Sequence, residues 1–427
     1  MLLLLFGLLF LLLSISVPIG IALGAATALT IALTTNLNLL FVAQNAFAAL
    51  DSFPLMAIPF FVLAGNLMMY GGISRRLLDV ADTLVGHLTG GLGAVTTLAC
   101  MFFAAISGSG PATVSAIGSF MIPSMKEKKY DGGYAAAITA AAGSIGVIIP
   151  PSIPFVIFGV VTGASVGNLF LAGILPGILI GVCLMLANYY IARKHGFKGK
   201  SEKSTAKEVG VAFKDAFWAL MVPVVILGGI YAGIFTPTEA AVVGVVYALF
   251  VGRFIYKELG FKEIYGAFRD TMLLNGATTF MLGLSASFAY LLTMKQVPVI
   301  VATNILSFSS NPIVILLLIN LMLLVVGCFI DNISSMVILA PILLPIMLKI
   351  GVDPVHFGVF MTVNLAIGFV TPPYGANLFI ASAVAREPMD AIIKYVWPLI
   401  FAMIFSLALI TYLPWISLAI PKLLGVM

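Results

Sequence analysis

The sequence predicts an all-α polytopic membrane protein, an inverted-topology repeat with about ten spanning helices and two re-entrant hairpins. Three observations carry that expectation. Of the 427 residues, 62% are hydrophobic and 9% charged, whereas soluble domains carry about 25% charged residues. Whole blocks lack charge: none lies between Asp131 and Arg193, or between Lys295 and Asp331. They do not alternate in the way that strands of a membrane barrel do. Finally, landmarks recur at one spacing: Pro123 and Pro345 are 345 − 123 = 222 residues apart. So are Gly146 and Gly368, Pro150 and Pro372, Pro151 and Pro373, and Pro176 and Pro398.

Roughly 20 apolar residues cross a bilayer, and the elements follow in order. Residues 2–17 and 18–33 read as two spans with a tight turn at Pro18. The start lacks a basic region and runs into more apolar sequence, so it reads as a span rather than a signal peptide. Residues 36–51 mix polar and aromatic side chains and suit a helix at the interface. Residues 54–70 cross, and a polar stretch with Arg75, Arg76, Asp79 and Asp82 follows. Residues 92–125 form a first hairpin, closed by Lys126, Lys128 and Lys129. Residues 132–162 are a span interrupted by IIPPS at 148–152, and 169–192 return to the most basic loop, 193–214.

The second half repeats the scheme. Residues 217–235 and 240–254 pair around TPTE at 236–239, and a basic interfacial stretch, 256–270, precedes a span at 272–292. Residues 313–330 and 333–349 flank a second polar break at Asp331 and Asn332. Residues 355–384 are interrupted by TPPYG at 371–375, and 391–420 close the chain. The first repeat is thus 1–214 with hairpin 92–125, and the second 215–427 with hairpin 312–349. Five full crossings and one hairpin per half place the second half upside down. With loop 193–214 in the cytoplasm, most basic clusters fall inside, as the positive-inside rule requires. The first hairpin then enters from the cytoplasm and the second from the outer face, with both termini external. The net charge of +5 follows from the same rule and does not call for nucleic acid.

Broken helices near the midplane of an inverted repeat point to a secondary transporter. Irregular backbone at membrane depth is tolerated only where protein covers it or a cavity needs it. At SGSGPAT, residues 107–113, the hydroxyls of Ser107 and Ser109 and the carbonyls beside Gly108 are hard oxygen ligands for a small cation. Thr113 and Ser115 open the second arm, whose free N–H groups suit an anion. Simple helix capping by the serines is the other reading. Asp331 and Asn332 pose the same alternative more sharply, because an ionisable group at membrane depth costs roughly 2.5 kcal/mol or more. A bound cation would neutralise it. The double prolines free carbonyls of the preceding turn. Gly146 to Pro150 can then face the first tip and Gly368 to Pro372 the second, with Ser152, Thr371 and Asn377 in reach of a substrate between; a plain kink is the other reading, since proline is frequent in membrane helices.

Elsewhere the chemistry is sparse. His87, His195 and His356 form no catalytic or zinc motif, Glu239 reads as a helix cap, and Cys100, Cys183 and Cys328 as packing residues. There is no Walker A pattern and no acid–base constellation for an enzyme. A channel built on the same broken helices would need a pore, which such proteins usually obtain from symmetric oligomers.

Several motifs together carry a family resemblance: IPFFVLAGNLM (58–68), SGSGPATVSAIG (107–118), GVIIPPSIPFVIFG (146–159), GIFTPTEAAVVGVVYAL (233–249) and GFVTPPYGANLFIA (368–381). They resemble the large membrane subunit of a TRAP transporter, the DctM type, over nearly the whole chain. The resemblance implies a sodium-driven tripartite importer of an organic acid in a bacterial inner membrane, with sodium ions as coupling ions and no other cofactor. It implies two partners, a small four-helix membrane subunit and a periplasmic substrate-binding protein. It implies an elevator motion of a core against a scaffold, both repeats contributing to each. The sodium sites carry over to Ser107, Gly108 and Ser109 with Gly146, Ile149 and Pro150, and to Asp331 and Asn332 with Gly368, Thr371 and Pro372. Ser109, Thr113, Ser152, Ser334, Ser335 and Asn377 are the substrate candidates. Sialic acid or a C4-dicarboxylate is the expected cargo, and a stand-alone sodium-coupled di- or tricarboxylate carrier the alternative.

Overall fold

Glycines, prolines and capping side chains, rather than changes in hydropathy, set where the helices stop. The computed structural model describes residues 1–427 except 16, 36, 201, 298, 302, 304–308, 310, 329, 373 and 374. The first half comprises α1 (Leu2–Ser14), α2 (Ile19–Thr34), α3 (Leu40–Leu50), α4 (Ala57–Tyr70) and α5 (Ile73–Val85). It continues with α6 (Gly91–Ser107), α7 (Gly110–Glu127), α8 (Gly132–Gly143), α9 (Ile153–Thr162), α10 (Val166–His195) and α11 (Ala206–Asp215). The second half holds α12 (Phe217–Tyr231), α13 (Pro237–Phe250), α14 (Phe261–Met294), α15 (Pro312–Gly327) and α16 (Asn332–Lys349). It ends with α17 (Pro354–Gly368), α18 (Ala376–Ala385), α19 (Met389–Tyr412) and α20 (Trp415–Leu423). There are no strands among the described residues.

Four segments differ from the sequence reading. The polar stretch after α4 is the amphipathic helix α5, and the basic loop contains α11, opened by a Thr205–Glu208 capping box. Residues 256–270 and 272–292 are not separate: α14 runs unbroken for 34 residues, because nothing after Gly260 breaks its backbone. The closing segment is divided at Leu413 and Pro414 into α19 and α20. Among the described residues six helices are long and apolar enough to cross a bilayer, or seven if α11 and α12, bent by 57°, form one span. The halves of broken spans are too short to count singly.

Helix boundaries repeat at the 222-residue offset. That offset carries Gly110 to Asn332 and Glu127 to Lys349, the two ends of α7 and of α16. It carries Asp131 to Asp353, which cap α8 and α17 in the same way. Each accepts the N–H groups two and three residues on, at 2.8 and 3.2 Å for Asp131 and at 2.8 and 3.4 Å for Asp353. An aspartate N-cap stabilises a helix by about 1 kcal/mol and complements its dipole.

α8 and α17 are the centre of the molecule, with every residue from Gly133 to Gly143 and from Val355 to Gly368 buried. Alanine and glycine dominate α8, which lets neighbouring backbones approach closely. Around this pair the halves interleave. α7 packs on α8 but also on α18 of the second half, and α16 packs on α17 but also on α9 of the first. The proline-containing helices α10 and α19 lie against each other and against both central helices. α14 packs on α2, α3, α4 and α16.

Candidate functional site

At the first break, Gly108 ends α6 with φ at 63°, a left-handed conformation that glycine adopts without steric penalty. Ser109 then caps α7, its Oγ accepting from Ala112 N at 3.4 Å, with Pro111 in the first turn. The Thr113 hydroxyl donates to Ser109 O at 2.8 Å and lies 2.9 Å from Ser107 Oγ. These three side chains therefore close on one another. The broken span completes the packing: Ile153 N donates to Gly108 O at 3.2 Å, and a methyl on Gly146 would sit 2.7 Å from Ser109 O. The sequence-predicted set Ser107, Gly108, Ser109, Thr113 and Gly146 thus meets at one place. Ile149 instead packs against Gly177 of α10. Buried Ser152 is turned inward, donating to Val147 O at 2.5 Å and capping α9.

The second break is chemically different. Asp331 caps α16, its Oδ2 accepting from Ser334 N at 3.0 Å. Its other oxygen, Oδ1, is buried without a hydrogen-bond partner, as are both amide atoms of Asn332 and the hydroxyl of Ser335. The Ser334 hydroxyl, close to that carboxylate, has no bond of good geometry either. Most buried polar groups find partners, so such a concentration within 331–335 requires an explanation that capping does not provide. Gly368 presses on this hairpin through Gly327, backbone to backbone, as Gly146 presses on the first. The Thr371 hydroxyl donates to Ile367 O at 2.8 Å, and Pro372 follows at the break; Pro373 and Tyr374, expected there too, lie outside the described residues.

Asn377 links the halves. Its Nδ2 donates to Ala140 O and to Ser144 Oγ, each at 3.1 Å, so a residue of α18 holds the end of α8. Asn377→Ala removes both bonds and leaves the two buried acceptors with only the 3.4 Å bond from Ser144 Oγ to Ala140 O, a loss of about 1–3 kcal/mol. A lowered thermal midpoint of the purified protein in detergent is the expected outcome, and an unchanged midpoint would refute the role of the link.

A cavity of about 320 Å³ opens beside the first tip. Ser107, Ser109 and Ser115 line one wall, and Asn66 of α4 and Asp270 of α14 line another. Of the substrate candidates Ser109 lines this cavity, while Thr113, Ser152, Ser334, Ser335 and Asn377 do not. Sequence reasoning missed Asn66 and Asp270 as wall residues. Asn66 sits in the motif IPFFVLAGNLM, but Asp270 carries no local signal.

Paired hairpin tips, each pressed on a glycine of a broken helix inside an all-helical apolar protein, define a membrane permease of the broken-helix kind. The family model described as "Tripartite ATP-independent periplasmic transporter, DctM component" matches residues 6–416, and the chain belongs to that family. It is 50% identical over 379 residues to the isethionate TRAP transporter permease protein DctMQ of Oleidesulfovibrio alaskensis, covering 89% of this chain and 60% of that protein. It is 42% identical over 384 residues to the C4-dicarboxylate TRAP transporter large permease protein DctM of Pseudomonas aeruginosa, covering 90% of each. The Alcanivorax borkumensis YdaH transporter shares the fold, with a TM-score of 0.65 at 14% identity, over 94% of this chain and 97% of that one. The relatives are permeases, not enzymes.

Proposed function

We propose that the chain is the large membrane subunit of a sodium-coupled importer of an organic acid, working in a bacterial inner membrane. The observation that carries the proposal is the group of buried, unpartnered oxygens at residues 331–335. One carboxylate, one amide and two hydroxyls are hard oxygen donors of the type that alkali and alkaline-earth cations take. A bound sodium ion would neutralise Asp331 and satisfy its neighbours. At the first tip, Ser107 and Ser109 with the carbonyls near Gly146 would supply a second, uncharged set. Sodium entering with the cargo would hold each tip against its glycine and so complete the acid site between scaffold and core.

The cavity supports the placement of that acid site. It lies between the first tip and α4 and α14, of which α4 packs on α6 and α9 and α14 packs on α16. We take α1 to α4 and α12 to α14 as scaffold, and the hairpins with the broken helices as the moving part of an elevator. The tripartite family description supports two partners, a small membrane subunit and a periplasmic binding protein that delivers the cargo. Isethionate and C4-dicarboxylates, named for two relatives, share an acid group, and sialic acid belongs to the same class.

Reconstituted vesicles with binding protein and a sodium gradient test the proposal. Combining Ser107→Ala with Ser109→Ala is expected to lower uptake about tenfold, as loss of positioning groups around a metal does, with membrane insertion intact. Uptake that needs no sodium gradient would refute the coupling. Uptake that needs no binding protein would leave a stand-alone carrier instead.

A further inference from the structure

Among the described residues that line the 320 Å³ cavity Asp270 is the only ionisable side chain, and it is an unexpected one for a protein that carries acids. Its surroundings define what it can do. Tyr70 donates to Oδ2 at 2.7 Å, and the Arg269 guanidinium donates to Oδ1 at 2.9 and 3.1 Å. Arg269 is the more exposed partner, 61% against 33% for Asp270, so the countercharge stands on the outer side of the carboxylate. An ionised carboxylate has about four acceptor positions and no donor. Three are taken by these bonds, which leaves one on Oδ2.

The opposite wall has the reverse character. Ser109 and Ser115 present hydroxyls, and the first turn of α7 opens there with Gly110, Pro111 and Ala112. A helix start carries partial positive charge. α4 holds the two walls in register: a methyl on Gly65 would sit 3.3 Å from Ser107 Cα, and Asn66 Nδ2 donates to Thr271 Oγ1 of α14 at 2.8 Å. An acid group is repelled at the Asp270 end and accepted at the serine end. Only a donor can meet Asp270.

Resting on the reading of this cavity as the cargo site, we propose that Asp270 selects acids bearing a hydroxyl at the end remote from the acid group. Hydroxyalkyl sulfonates and hydroxy acids fit this description. An unsubstituted dicarboxylate, with acceptors at both ends, does not. A site built to pair with a hydroxyl discriminates strongly against the analogue lacking it, because its own polar group is left bare.

The experiment uses the complete permease complex in lipid nanodiscs with sodium, without the binding protein, whose own selectivity would intrude. Affinity is measured for two pairs differing by one terminal hydroxyl: 2-hydroxyethanesulfonate and ethanesulfonate, and glycerate and lactate. The native protein is expected to favour the hydroxylated member by about tenfold or more. Asp270→Asn is expected to bind the acids yet lose the preference, and Asp270→Glu, which keeps the carboxylate, to retain it. Equal affinity within pairs, or a preference that survives in Asp270→Asn, overturns the assignment of Asp270 alone. If no acid binds, or if filling the cavity with Leu274→Trp leaves binding unchanged, the cavity is not the cargo site and both readings fall.

Discussion

Asp331→Ala is expected to reduce sodium-driven uptake by roughly 100-fold, the equivalent of losing one partner of a buried charge pair. The loss has two components that a second substitution separates. Asp331 Oδ2 caps α16 through Ser334 N, and a cap alone contributes about 1 kcal/mol. Asparagine is an equally good cap but carries no charge. If Asp331 only starts a helix, Asp331→Asn keeps uptake near the native rate. If its unpartnered Oδ1 meets sodium, Asp331→Asn fails nearly as badly as Asp331→Ala, and sodium no longer raises the melting temperature. Ser335→Ala, which removes a neutral buried hydroxyl, should show a smaller loss in the same direction. Native uptake in Asp331→Asn would remove the sodium assignment from the second tip.

Much of the scaffold was legible because the signals are local. Gly108, Ser109 and Pro111 stop one helix and start the next whatever surrounds them. The recurrence of prolines at 222 residues exposed the repeat, and Asp131 with Asp353 shows the same spacing that a search for caps would have found. The helices α5 and α11 were hidden because their charged faces looked like loops, although their apolar residues recur at helical spacing. The interior contacts were not legible. Asn377 reaches α8 across 237 residues, and the packing of α7 on α18 and α16 on α9 follows from how the halves interlock. The same holds for Asp270, which sequence placed in an interfacial stretch and the fold brings to a cavity wall beside Ser109. The contrast between the tips was half visible: a carboxylate at one and hydroxyls at the other could be read. That the first tip satisfies itself while the second leaves polar atoms bare could not.

The glycines that the tips press on supply the other large effect. A methyl on Gly146 would lie 2.7 Å from Ser109 O and 3.0 Å from Ser109 C, besides meeting the Thr113 hydroxyl. On Gly368 it would lie 2.7 Å from Gly327 Cα and meet the Gly327 carbonyl. Side chains can rotate away from an added carbon, but backbone must move with its helix. Gly368→Ala, whose nearest neighbours are all backbone, therefore has to displace the end of α15, and overpacking of this kind costs about 1–3 kcal/mol. Uptake is expected to fall about tenfold or more in Gly368→Ala and somewhat less in Gly146→Ala, where the Thr113 hydroxyl can give way. Gly210→Ala on α11, where nothing lies within 4 Å, gives the matched control and should be neutral or slightly stabilising, since alanine favours a helix over glycine by about 1 kcal/mol. Because the tip must seat on its glycine for the ion oxygens to converge, the Gly368→Ala defect should be partly overcome by raising sodium. A defect that sodium does not touch would mean that Gly368 serves only to pack the helix.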